Sequence, residues 1–169
     1  MNQDNRHFQA KSIRERLLFK QYLKNNNSFC FKFTPFDGTD QYDVTYFTLH
    51  YGLKSAIAEI KVRNIRYQDT NGFFLQKDKY DYLMSNASKY DEVLYINIFP
   101  DGILIWDLKK ILTPTFNVQT LPKNNHSNSQ KEKEAGYLQF WDCKEVITTD
   151  IDIHKTLQKS YEILTRIGR

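Results

Sequence analysis

Read for the spacing of its apolar and polar positions, the chain divides into helical and extended stretches with sharp punctuation between them. Residues 1–9 are polar and are expected to fray. Over 10–24, "AKSIRERLLFKQYLK" repeats Ile13, Leu17, Leu18 and Tyr22 at near-helical spacing, which predicts an amphipathic helix ending before "NNNS". "SFCFKFTPF" alternates Phe29, Phe31 and Phe33 against Cys30 and Lys32, a strand closed by Pro35. "DGTD" at 37–40 is turn chemistry, and "QYDVTYFTLHYG" is a second strand that stops at Gly52.

"SAIAEIKVRNI" is a third strand, followed by the loop "YQDTNGF" with its Asn71-Gly72 turn signal. "KDKYDYLMSNASKY" places Tyr80, Leu83, Met84 and Ala87 on one helical face. The almost continuously apolar "DEVLYINIF" predicts a strand near the middle of a sheet. Pro100-Asp101-Gly102 then turns the chain into a fifth strand, "ILIWDL". "TPTFNVQTL" and "GYLQFW" are two further strands, separated over 122–136 by a polar stretch expected to form a mobile loop. "DIHKTLQKSYEILTRIG" closes the chain as a helix with Leu157, Tyr161 and Leu164 on one stripe. This order predicts one α/β domain over 1–169, a central mixed sheet flanked by helices, with a hairpin-like extension and final helix over 108–169.

One segment does not fit a simple buried strand. In "AIAEIKVR", residues 56–63, period-2 alternation sends Ala58, Ile60 and Val62 to one face and Ile57, Glu59, Lys61 and Arg63 to the other. If strands two and three pair as a hairpin through Gly52, Asp43 comes opposite Glu59. Two carboxylates and an ammonium then share one patch of sheet. Two carboxylates with little else nearby suit a hard, oxygen-seeking ion such as Mg²⁺ or Mn²⁺. The competing explanation is a pair of solvated surface charges, which contributes little to stability.

"YDV" at 42–44 followed by "AEIK" at 58–61, in a helix–three strands–helix–strand order, resembles the PD-(D/E)XK nuclease superfamily. The likeness covers about residues 10–107 and implies a restriction-endonuclease-like αβββαβ core. It implies a metal-binding, magnesium-dependent hydrolase cutting phosphodiester bonds, with DNA the expected polymer. Asp43 and Glu59 would bind the metal with the backbone carbonyl of Ile60, and Lys61 would be the catalytic lysine. Glu15 corresponds in place to an accessory acid, and Lys77 and Lys79 to groups that contact phosphate at the start of the second helix. The chain departs from the pattern in lacking the proline before Asp43 and any QxxxY element after the motif. A nuclease-like fold that binds nucleic acid or serves in assembly without cleaving it is the alternative, and some members of such a family act as homodimers.

Composition adjusts this picture only slightly. The 169 residues are 40% hydrophobic, 26% charged and 15% aromatic, with a formal net charge of +4. That balance is compatible with a phosphate-rich partner without requiring one. Lys54, Arg63 and Arg66 are candidate phosphate contacts beside Lys79. Trp106 and Trp141 are expected to pack in the core, Tyr80 to be buried and Tyr82 exposed. Cys30 and Cys143 are far apart and outside any CxxC pattern, so no structural zinc site is predicted. His7, His50, His126 and His154 share no ligand spacing. No apolar run reaches the length of a membrane span and no signal-peptide core is visible, so a soluble, cytoplasmic protein is expected.

Overall fold

The computed structural model describes residues 3–25, 28–35, 42–49, 52–122 and 130–167. It contains three α-helices: α1 (Gln3–Asn25), α2 (Lys77–Ser85) and α3 (Ile153–Ile167). The first five strands are β1 (Ser28–Phe33), β2 (Val44–Thr48), β3 (Lys54–Val62), β4 (Phe73–Gln76) and β5 (Glu92–Phe99). The remaining four are β6 (Gly102–Asp107), β7 (Asn117–Pro122), β8 (Gln130–Leu138) and β9 (Glu145–Thr148). The "DGTD" turn, with Asp37 and Asp40, lies outside the described residues, as do His50 and His126.

Six strands form the central mixed sheet in the order β1-β2-β3-β5-β6-β9. Every neighbouring pair is antiparallel except β3 and β5, which run parallel. A parallel pair needs a crossover, and α2 lies within it. β5 is buried along its whole length, and β3 through its middle, because both faces of the sheet are covered there.

On one face, Ala56, Ala58 and Ile60 of β3 join Leu94, Ile96 and Ile98 of β5 under Leu18 and Phe19 of α1. On the other, Ile57, Val93, Tyr95 and Trp106 pack with Tyr80 and Leu83 of α2 and with Phe73 and Leu75 of β4. α3 lies against α1 through Leu164, with Ala10 and Ile13. This contact explains why α1 begins at Gln3 instead of fraying to residue 9. Arg6 donates to the Thr165 hydroxyl at 2.7 Å, and His7 Nδ1 meets the Tyr161 hydroxyl.

A second, three-stranded sheet has the order β4-β8-β7. Its formation corrects the loop expected over 122–136. Gln130–Leu138 is a strand, bonded on one side to β7 and on the other to β4, and only 123–129 lie outside the described residues. Two neighbours supply hydrogen bonds that let a polar sequence form a strand without a core of its own. β9 was likewise not predicted; it forms because β6 offers it an open edge.

In β1 the predicted alternation breaks. The register shifts between Phe29 and Lys32, and Cys30 takes a left-handed φ of 52°. Trp106 is fully buried as expected, but Trp141 is 78% exposed. The 3₁₀ turn that carries Trp141 lies at the surface with no buried residue, and its contact with the domain is Phe140, which stacks on Tyr67 at 6.0 Å. Both cysteines are free thiols, and burial pushes the Cys143 thiol up to about 12. No described helix is long and apolar enough to cross a membrane.

Candidate active site

β2 and β3 pair from Thr48↔Lys54 to Val44↔Ala58, and the next step along that register sets Asp43 beside Glu59. Asp43 sits just past the last paired residue of β2. Its N–H donates to the Ala58 carbonyl at 2.9 Å, and its Oδ2 accepts the Ile60 N–H at 2.6 Å. A residue's N–H and C=O point to the same side of an extended strand, so the Ile60 carbonyl opens toward this side chain as well. The ring of Tyr42 stacks on Tyr82 of α2 at 6.1 Å, tying the start of β2 to the helix that bears Lys79.

Glu59 lies on the predicted face but is itself out of water, while the Lys61 side chain is one-third exposed. Glu59 is 1% exposed, in register with buried Tyr95 of β5. This removes the surface-charge explanation for the Glu59–Lys61 pair. Lys61 Nζ lies 2.5 Å from Glu59 Oε1, and Lys79 Nζ reaches the same oxygen at 3.5 Å. Oε2 is buried and has no partner among the described residues. Leaving such an oxygen unmatched costs about 1–3 kcal/mol, so the arrangement is poor as a purely structural ion pair.

The local electrostatics follow from this crowding. Burial pushes the Glu59 carboxyl up to about 7; Lys61 opposes the shift and Asp43 adds to it. Glu15 of α1 accepts the Val62 N–H at 3.4 Å and is also raised, by burial first, against the pull of Lys61 and with the push of Asp43. Burial alone would lower the Lys61 ammonium. The carboxylates of Glu59, Glu15 and Asp43 outweigh it and hold the amine above its usual range. Glu15, Asp43, Glu59, Lys61 and Lys79 therefore form one coupled group at the C-terminal end of β3.

The other predicted contacts lie elsewhere or are occupied. Lys77 pairs with Asp81 at 2.5 Å, one helical turn along α2, and points away from Glu59. Positions 77 and 79 of a helix face different ways, so only Lys79 can enter the group. Lys54 stands seven residues before Lys61, about 23 Å along the strand, and pairs with Glu92 at 3.4 Å. Arg66 pairs with Asp101 at 3.5 Å. Arg63 is an internal brace. Its Nε donates to Asn97 Oδ1 at 3.0 Å, and its guanidinium donates to the Phe74 carbonyl at 3.1 Å.

Two residues of the surroundings were not singled out from sequence. Tyr95 and Asn97 stand opposite Glu59 and Lys61 in the parallel β3–β5 register. Asn97 is fully buried with Nδ2 unpartnered among the described residues. Parallel pairing across a crossover leaves no local mark in the chain, so no sequence signal reports this register.

The donor set bears on the kind of ion it could take. It comprises Asp43, Glu59 and a backbone carbonyl, all oxygen, with one carboxylate oxygen idle. Among the described residues no group of three or more His, Cys, Asp or Glu side chains is gathered as a ready ligand cage. Mg²⁺ keeps several of its waters and binds through one or two carboxylates, so a sparse, all-oxygen set fits it. Compared with known proteins, the chain matches no family model, no curated protein and no solved structure.

Proposed function

We propose that this protein is a divalent-metal-dependent nuclease of the PD-(D/E)XK kind, hydrolysing phosphodiester bonds in DNA. The observation that carries the reading is the convergence of Asp43, Glu59 and Lys61 at one strand end, with Glu59 buried and its Oε2 idle. The arrangement of α1, the β1–β2–β3 meander, α2 and a β5 parallel to β3 supports a restriction-endonuclease-like core.

In this reading Asp43, Glu59 and the Ile60 carbonyl hold Mg²⁺ or Mn²⁺. When bound, the ion supplies Lewis acidity toward a phosphate oxygen and toward a water. Asp43 is pre-aimed by the Ile60 N–H, so less side-chain freedom remains to be lost on binding. Lys61, kept charged by its three carboxylate neighbours, is placed to offset the negative charge that builds on the phosphate as water attacks. Glu15 buttresses Lys61 from α1. Lys79 adds a second positive charge to the same oxygen of Glu59.

The test is cleavage of labelled DNA with Mg²⁺ or Mn²⁺ by Asp43→Asn, Glu59→Gln and Lys61→Met, each checked for native folding. Each is expected to lose metal-stimulated cleavage, whereas Lys77→Ala keeps it. Full activity in all three folded variants would sink the assignment. A second reading, a nuclease-like fold that binds nucleic acid without cutting it, is favoured by the two amines already converging on Glu59 Oε1. It predicts DNA binding with no cleavage by the parent protein and no response to these substitutions.

A further inference from the structure

A cleft of about 90 Å³ opens beside Lys61, lined by Lys61, Arg63, Phe74, Gln76, Lys79 and Tyr95. Lys61 and Lys79 also pair with Glu59, and Arg63 and Tyr95 are committed to the fold. Arg63 braces Asn97 and the Phe74 carbonyl, and the Tyr95 hydroxyl donates to that same carbonyl at 2.8 Å. They form a floor that locks β4 in place against β3 and β5. The rim then has two amines on one side, Lys61 and Lys79, and a ring and an amide on the other, Phe74 and Gln76.

Phe74 and Gln76 are the outward half of β4, since Phe73 and Leu75 alternate into the core. β8 extends this surface. Phe74 pairs in register with Tyr137, and their rings lie 6.1 Å apart at 72°. Tyr137 is 49% exposed, and its hydroxyl donates to Gln119 Oε1 of β7 at 3.2 Å. Gly72 leaves room for the ring: a Cβ at that position would stand 3.2 Å from Tyr137 Cδ1. Lys133 holds the Gln76 side chain, donating to its Oε1 at 3.1 Å. An aromatic step thus stands with Phe74 lining the cleft and half-exposed Tyr137 beside it, and the same cleft is lined by Lys61 and Lys79 of the candidate active site.

We propose that Phe74 and Tyr137 form a stacking shelf for unpaired bases of a DNA strand whose phosphates run toward Lys61 and Lys79. The substrate class is therefore DNA with an unpaired stretch: a single strand, a flap or a frayed end. In an intact duplex each base face is covered by its neighbours, so only an unpaired base can offer its π-face to a side chain. Such stacking contributes about 1–3 kcal/mol per base and tolerates any sequence. The charge complementarity of the rim, two amines beside two rings, fits a nucleotide strand. The direction of the strand rests on the nuclease reading; the shelf itself does not.

The test is equilibrium binding of the whole protein, in EDTA so that nothing is cut, read by fluorescence anisotropy. Three labelled DNAs of roughly 12 nucleotides or base pairs are compared: a single strand, a duplex with an unpaired tail, and a blunt duplex. The single strand and the tailed duplex are expected to bind about tenfold tighter than the blunt duplex. Tyr137→Leu should remove that advantage while blunt-duplex binding stays the same, and Tyr137→Phe, which loses only the Gln119 hydrogen bond, should keep it. Abasic sites in the strand should reproduce the loss on the unaltered protein, which preserves the test if Tyr137→Leu fails to fold. Equal or tighter binding of the blunt duplex, or tolerance of both the leucine and the abasic sites, overturns the proposal. A protein that binds in the expected pattern yet cleaves nothing with Mg²⁺ or Mn²⁺ keeps the shelf and loses the nuclease. One that cuts intact duplex with no dependence on Tyr137 keeps the nuclease and loses the shelf.

Discussion

The central sheet holds two buried glutamates, each attended by two lysines, and they are wired differently. At the N-terminal end of β5, Glu92 is 3% exposed. Its Oε1 faces Lys54 at 3.4 Å and its Oε2 faces Lys144 at 2.6 Å, one cation per oxygen. At the C-terminal end of β3, Glu59 is as deeply buried, but Lys61 and Lys79 crowd one oxygen and Oε2 is left idle. Glu92 reads as a closed strut that ties β3, β5 and the start of β9 together. Glu59 reads as a carboxylate held ready for a partner that the described residues do not supply.

Cavity size points to the other end. The hollow beside Glu92, lined by residues that include Tyr22, Tyr46, Lys54 and Lys144, measures about 280 Å³, against about 90 Å³ beside Lys61. Unmatched bonding capacity, reinforced by the nearby Asp43 and Glu15, is the better guide.

The contrast is broken most sharply by substituting each glutamate in turn. Glu59→Gln should lower metal-stimulated cleavage by about 10³-fold or more, the several kcal/mol that charge stabilisation at a metal site supplies. Glu92→Gln should leave cleavage within about twofold, because Glu92 stands level with Ala56, about 10 Å along the sheet from Glu59, and shares no partner with it. Cleavage of labelled DNA by the two variants side by side decides this. Equal losses would end the distinction.

Acid should act mainly through the Glu59 end. With its carboxyl raised to about 7, Glu59 carries a proton below that pH, and an incoming cation must displace it. Mn²⁺ affinity, followed by calorimetry, should therefore rise about tenfold per pH unit and level off above about 7. The raised Glu15 carboxyl acts in the same direction. A profile that is flat between acid and neutral pH would contradict this origin.

Stability should respond at the other end. Glu92→Gln strands Lys54 and Lys144, whose side chains are 33% and 34% exposed, so water screens part of the loss. A fall of about 1–2 kcal/mol is expected, measured by urea denaturation. The smallest effect concerns Lys79. Lys79→Met removes a cation that competes for Glu59 and should tighten Mn²⁺ binding by a few-fold, roughly the strength of one partly exposed ion pair. Lys54→Met should leave that affinity where it is.

Much of this site is legible in the chain because strand alternation is a local rule. "AIAEIKVR" and the turn region near Gly52 are sufficient to place Glu59 and Lys61 on one face and Asp43 opposite Glu59, and β2 and β3 pair in that register. The first-helix acid Glu15 also reaches the group. Lys77 and Lys79 show the limit. Both begin α2, and only the packing of the helix over β3 decides that Lys79 turns to Glu59 while Lys77 pairs with Asp81. "QKEKEAGYL" shows another: its polar composition predicts a loop, yet hydrogen bonding to β4 and β7 on both sides makes it a strand. Trp141 is apolar enough for a core, but its turn lies on the surface and buries none of its residues.

By itself, then, the sequence determined the α/β order, the two-faced character of β3 and the convergence of Asp43, Glu59 and Lys61 at one end of the β2–β3 pair. Each follows from spacing within a few residues or from one antiparallel turn. Tertiary structure alone decided that Glu59 on the charged face of β3 is buried, that it keeps an idle oxygen, and that Tyr95 and Asn97 stand beside it. It also decided that Phe74 and Tyr137 meet at the cleft mouth. The physical reason is that desolvation and pairing across the β3–β5 and β4–β8 registers depend on segments far apart in the chain.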